Sequence, residues 1–178
     1  MKIAAIDVGS NSIKLVVVDA AASDSLAVLA REKETVRLGH DTLREERLPP
    51  AAIERAVDCI KRFRLIAEAR GAERIFAVAT ASVREAGNSA QFIKEVGRKA
   101  GVSVEVLSAI EEGRLIGLAA AQGCAGTSAS ILNLDIGGGS TEISVMRDGA
   151  PADSFQSSLV RSDSPSDLFF TILPRQKN

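Results

Sequence analysis

The residues best equipped for chemistry lie in Ile131 to Val145, which reads ILNLDIGGGSTEISV. An apolar run delivers Asp135, and Gly137, Gly138 and Gly139 follow. Ser140, Thr141 and Glu142 come next, ahead of the alternation Ile143, Ser144, Val145. Consecutive glycines let the backbone take positive φ and approach a ligand closely, and successive main-chain N–H groups in such a turn make a nest for an anion. Ser140 and Thr141 add hydroxyl donors. A carboxylate such as Asp135 at the end of a buried apolar strand needs a metal, a cation or hydrogen bonds to offset its desolvation. The plainer reading is a hairpin turn with an incidental acidic cap.

A second copy of the unit argues against the plainer reading. Lys2 to Val8 is an apolar run containing Asp7. Gly9, Ser10, Asn11 and Ser12 make a turn, and Ile13 to Asp19 form another β-rich run. Asp7 matches Asp135, Gly9 matches Gly137 and Ser12 matches Ser140. Internal repetition of this kind points to repeated architecture. Two copies of one phosphate-type turn predict two related domains facing each other across a cleft.

The elements that must position these turns alternate between strand and helix. Leu26 to Leu38 is β-like, and a polar loop with His40, Asp41 and Arg44 follows. Pro49 and Pro50 open a helix that runs to about Ala69, with Ile53, Val57, Ile60, Phe63 and Ala67 on one stripe and Gly71 closing it. Arg74 to Ala79 reads as a short buried strand that delivers Thr80 to Arg84 to the sheet's C-terminal edge, where α/β proteins place ligands. Asn88 caps a further helix, with Gln91 at the third position. Val102 to Leu107 is a strand, a helix spans Ala109 to Gln122, and Gly123 to Ser130 is a hinge or boundary. Ser108 and Glu111 have capping-box spacing, so Glu111 has a structural job and Arg114 is its surface partner. Glu112 turns to another face and is available as a general base or a metal-linked carboxylate. The alternative is that both glutamates only favour the helix dipole. Lys14 is turned to solvent by strand alternation.

Composition sets the outer limits. The chain has 178 residues, 46% hydrophobic and 25% charged, which suits one well-buried domain and is short for two. With six Phe and neither Trp nor Tyr, it lacks base-stacking side chains, and a net charge of −1 supplies no field for nucleic acid or anionic membrane. Cys59 and Cys124 have no metal-ligand spacing and read as reduced thiols of a cytoplasmic protein. MKIAAIDVGS is too soon polar for a signal peptide, and no run reaches membrane-spanning length.

DVGSNSIKLVV, TASVREAGN, LSAIEEGRLIGL and LDIGGGSTEISV, in that order, resemble the exopolyphosphatase / guanosine pentaphosphate phosphohydrolase family of the actin-like ATPase group. The resemblance covers residues 1 to about 153. It implies an α/β fold, a ribonuclease H-like mixed sheet with flanking helices at residues 1–125. Residues 126–156 would be the opening strands of an incomplete second domain, and 157–178 an atypical tail. It implies release of phosphate from the terminal phosphoanhydride of inorganic polyphosphate or guanosine pentaphosphate, with Mg²⁺ as cofactor and a homodimer in the full-length form. By position, Glu112 would orient and deprotonate the attacking water, and Arg84 would bind the terminal phosphoryl oxygens. Asp135 and Glu142 from the second turn and Asp7 from the first would organise metal and water. Gly9, Ser10, Asn11 and Ser12 would clasp phosphate from one side, and Gly137, Gly138, Gly139, Ser140 and Thr141 from the other.

The sequence also departs from the family. Ala109 stands where glycine is usual and Gly113 where alanine is usual. After Pro151 the serine-rich tail reads as a truncation, a frameshift or an alternative terminus, and the strands of 126–156 are expected without a covering helix. Two rival readings follow, an inactive fragment or phosphate-anion-binding regulatory module, and an actin-like phosphotransferase.

Overall fold

The computed structural model describes residues 1–20, 26–39, 46–123, 131–136, 140–147 and 150–158. The loop with His40, Asp41 and Arg44, the boundary residues 124–130, Cys124 and the tail from 159 lie outside the described residues, as do Gly137, Gly138 and Gly139. The chain divides into two compact units, Met1–Ser108 and Ala109–Asn178.

The first unit contains strands β1 (Lys2–Val8), β2 (Ser12–Asp19) and β3 (Ala27–Thr35) and helix α1 (Pro50–Ala69). Strand β4 (Arg74–Ala79), the single turn α2 (Ala81–Arg84), helix α3 (Ser89–Ala100) and strand β5 (Val104–Val106) complete it. The sheet order is β3-β2-β1-β4-β5. The first three strands are antiparallel neighbours, whereas β1, β4 and β5 run parallel. This is the mixed, ribonuclease H-like sheet the motifs imply.

Period-two alternation builds the core. Ala4, Ile6 and Val8 of β1, Ile13, Leu15 and Val17 of β2, and Ala77 and Ala79 of β4 are buried in one cluster with Ile60 and Phe63 of α1 and Phe92 and Val96 of α3. The expectation that β4 is a short buried strand holds for one face only, because Ala77 and Ala79 are buried while Phe76 is 54% exposed. An apolar run does not distinguish burial on one face from burial on two, and α1 and α3 join the core on the Ala77 and Ala79 side.

Helix α1 has Pro49 at its N-cap and Pro50 inside its first turn. It closes through Gly71 at φ +78, with the Gly71 N–H donating to the Glu68 carbonyl and the Ala72 N–H to the Ala67 carbonyl. Those two bonds form a Schellman motif. At α3 the expected cap takes another form. Asn88 occupies the N-cap position but makes no side-chain bond to its own helix. Its amide instead accepts from the Leu48 N–H at 2.8 Å and donates to the Leu48 carbonyl at 3.0 Å. A preceding loop needed both groups satisfied, and local spacing carries no trace of that demand.

The second unit begins with α4 (Ala109–Gly123). Strands β6 (Ile131–Ile136), β7 (Ser140–Arg147) and β8 (Ala150–Ser158) follow in an antiparallel sheet of that order. Pro151 lies on the edge strand β8, where a missing N–H is tolerated. The expectation that this sheet lacks a helix is corrected, since α4 packs on β7 and β8.

Candidate functional site

The first turn stands at the C-terminal end of β1. The Gly9 N–H donates to the Ser12 carbonyl at 3.2 Å, which closes the link into β2. The Ser10 carbonyl accepts from the Gly39 N–H at 2.8 Å, and the Asn11 carbonyl accepts from the N–H groups of Val36 and Arg37 at 3.0 and 2.9 Å. Ser12 is buried. The turn is therefore held from outside by residues 36–39, which the sequence left without a role.

Parallel pairing brings a second segment to the same edge. Val8 of β1 is in register with Ala79 of β4, and the Thr80 N–H donates to the Val8 carbonyl at 3.3 Å. Helix α2 starts at once, so Ser82 and Arg84 leave the sheet beside the turn. The Ser82 hydroxyl donates to Ser10 Oγ. Arg84 donates from Nη1 to the Leu107 carbonyl at 3.0 Å and has Nη2 3.9 Å from a Glu85 carboxylate oxygen, its side chain only 18% exposed. A guanidinium fixed this way presents a fork suited to phosphate oxygens.

Asp7 precedes the last residue of β1, and its side chain is 44% exposed. Lys14 is its register partner on β2, with Nζ 3.5 Å from the carboxylate. Lys14 is exposed, as alternation predicts, yet it also supplies a cation to Asp7. At that exposure the pair contributes little stability.

On α4 the two neighbouring glutamates have different surroundings. Glu111 accepts from Arg114 at 2.6 and 2.7 Å, in a bidentate pair, and the guanidinium holds its carboxyl below the usual glutamate range. The expected surface partnership is thus present. Glu112 is 9% exposed, a buried carboxylate in the first turn of the helix.

Strands β6 and β7 flank the second glycine run as expected, while Gly137, Gly138 and Gly139 themselves lie outside the described residues. Asp135 and Glu142 are directly opposed in register, as are Ile136 and Thr141. Two carboxylate-bearing residues at opposed positions are oxygen donors of the kind Mg²⁺ takes. No group of three potential ligands converges among the described residues.

Sequence reasoning missed Ser82, Gly39 and Arg55, whose Nε and Nη2 donate to the Val36 carbonyl at 3.3 and 3.2 Å. Ser82 was legible as part of the segment delivered to the sheet edge. Nothing local marks Arg55.

A sequence model described as the Ppx/GppA phosphatase family matches residues 16–160. Exopolyphosphatase 1 of Mycobacterium leprae is 37% identical over 144 residues, spanning 81% of this chain and 42% of that protein. An exopolyphosphatase from Cytophaga hutchinsonii superposes with a TM-score of 0.84 at 27% identity, over 89% of this chain and 51% of that one. The Ppx/GppA protein of Aquifex aeolicus gives 0.78 at 29% identity, over 88% and 51%. The chain spans about half the length of these relatives.

Proposed function

Because the chain belongs to the Ppx/GppA phosphatase family, we propose that it provides the phosphate-handling half of a hydrolase acting on terminal phosphoanhydride bonds. The substrate would be inorganic polyphosphate or guanosine pentaphosphate. One observation carries this reading: the Gly9–Ser12 turn and the Arg84-bearing α2 leave adjacent parallel strands at one edge and are joined by Ser82 and Ser10. Backbone donors, hydroxyls and a fixed guanidinium are thereby gathered where a terminal phosphoryl group could bind.

Phosphoryl transfer asks a protein mainly for positioning and for stabilisation of charge on the equatorial oxygens. Glu112 accepts a proton from water as its oxygen attacks the terminal phosphorus. The bridging P–O bond breaks and the shortened chain leaves as phosphate oxyanion. Arg84 binds the equatorial oxygens, Gly9, Ser10, Asn11 and Ser12 clasp the phosphates, and Gly137, Gly138, Gly139, Ser140 and Thr141 form the second clasp. Asp135 and Glu142 of the second unit would hold Mg²⁺, which neutralises phosphate charge when bound, and the family resemblance gives Asp7 of the first unit the same kind of role. A cytoplasmic location, a homodimer in the full-length form and the absence of nucleic-acid or membrane partners belong to the same proposal. Among the described residues no helix is long and apolar enough to cross a membrane.

The rival reading is a module that binds phosphate anions through these turns without turnover. Phosphate release from long-chain polyphosphate and from guanosine pentaphosphate, measured with and without Mg²⁺ beside calorimetric binding of both, separates the two. Release supports the hydrolase, binding without release supports the module, and neither overturns both.

A further inference from the structure

The Gly9–Ser12 turn shows how its own donors are aimed. Every peptide bond described is trans, so each carbonyl and the N–H of the following residue point in opposite directions. The Ser10 and Asn11 carbonyls are both taken by the 36–39 segment. The N–H groups of Asn11 and Ser12 are therefore directed to the opposite side. Ser10 Oγ accepts from Ser82. With Ser82 assigned as the donor of that bond, the single Ser10 proton is left to be donated elsewhere.

The segment that takes these carbonyls is itself held in an uncommon shape. Arg37 adopts φ 54, a left-handed conformation rare outside glycine. Arg55 of α1 fixes the preceding residue by donating twice to the Val36 carbonyl. Gly39 closes the contact, since a Cβ there would fall on Ser82 Oγ and lie 2.9 Å from Ser10 Cβ and 3.2 Å from Ser82 Cβ. Only a residue without a side chain lets the segment approach closely enough for its N–H to reach the Ser10 carbonyl while Ser82 reaches Ser10 Oγ.

We propose that Val36–Gly39 and Ser82 form a brace that aims the first turn's N–H and O–H donors at phosphate oxygens, with Gly39 and Ser82 as positioning residues. The inference rests on the reading of Gly9–Ser12 as a phosphate clasp. Neither residue need touch the ligand. Gly39 acts through Ser82 and the Ser10 carbonyl, and Ser82 acts through the Ser10 hydroxyl.

The test is calorimetric titration of the full chain with sodium tripolyphosphate, with thermal unfolding followed in parallel. Ser82→Ala removes one oxygen and should weaken binding roughly tenfold, the size of one hydrogen bond, while the unfolding temperature changes little. Gly39→Ala should weaken it at least as much. Because both changes act on Ser10, the double variant should lose clearly less than the product of the two single losses. Folded single variants that bind like wild type, or a double variant that loses the full product, would overturn the brace. A Gly39→Ala chain that does not fold leaves the decision to Ser82→Ala. Wild-type chain that fails to bind tripolyphosphate would overturn the phosphate reading itself, and the brace with it. Wild-type binding with unaffected variants would remove the brace alone.

Discussion

Glu111 and Glu112 are adjacent in sequence and differ in everything that bears on chemistry. Glu111 is engaged by Arg114 on an exposed face, so its carboxyl is kept charged to lower pH than usual. Glu112 is buried. In a family-length protein that turns over, Glu112→Gln should lower phosphate release by about 10²–10³ or more, the loss typical of one catalytic group, and keep substrate binding. Glu111→Gln should leave release near wild type. A malachite-green assay with the opposite ranking would reassign the base. Cys59 permits a prediction free of activity. Burial raises its thiol from 9.0 to about 11. A pKa raised in the folded state gives stability that is complete below the unfolded value and is lost as pH climbs toward the folded one. Stability should therefore decline between about pH 9 and 11, by roughly 2–3 kcal/mol at most for a shift of this size. Native Cys59 should also resist iodoacetamide at pH 8 and react once urea unfolds the chain. Rapid native labelling would contradict the burial.

At the scale of elements, caps and closures decide which segments stay in place. Gly71 has room for a methyl group, its nearest neighbours being Lys2 side-chain atoms at 3.6 Å, so only its φ of +78 resists substitution. Gly71→Ala should destabilise by about 1–2 kcal/mol in urea titration, the cost of a left-handed L-residue. Asn88 offers a sharper test. Aspartate is as good an N-cap as asparagine, but it lacks the amide donor that reaches the Leu48 carbonyl. Asn88→Asp should therefore destabilise by about 1–3 kcal/mol through the unsatisfied carbonyl. A neutral result would mean that the residue works as a helix cap after all. Most elements were legible here, including β1, β2, α1 and the hairpin β6–β7, because periodicity and turn residues are local. The role of Asn88 and the one-sided burial of β4 depend on partners 40 residues away or on the opposite layer, which no local pattern encodes.

At the scale of the molecule, the chain spans about half of its relatives, and the second unit contributes α4 and three strands among the described residues. Helix α4 gives that sheet a packed layer, which isolated strands would lack. Appending a family-type second half should raise Mg²⁺-dependent phosphate release well above that of the present chain. Equal rates from the two proteins would show that residues 1–178 already carry a complete catalytic unit.

The sequence by itself determined the family, the mixed sheet, and the first glycine turn together with the strands that flank the second, because these are written in residue types at fixed spacing. It also set Arg114 beside Glu111 through i,i+3 spacing, and the bidentate pair bears that out. Only the tertiary structure decided what holds the first turn in place. Gly39, Ser82 and Arg55 come from a turn, the end of a parallel strand and a helix face, and they meet because β4 pairs beside β1 and α1 packs beneath. Such convergence is set by strand order and layer packing, and those are fixed by the burial of the whole core.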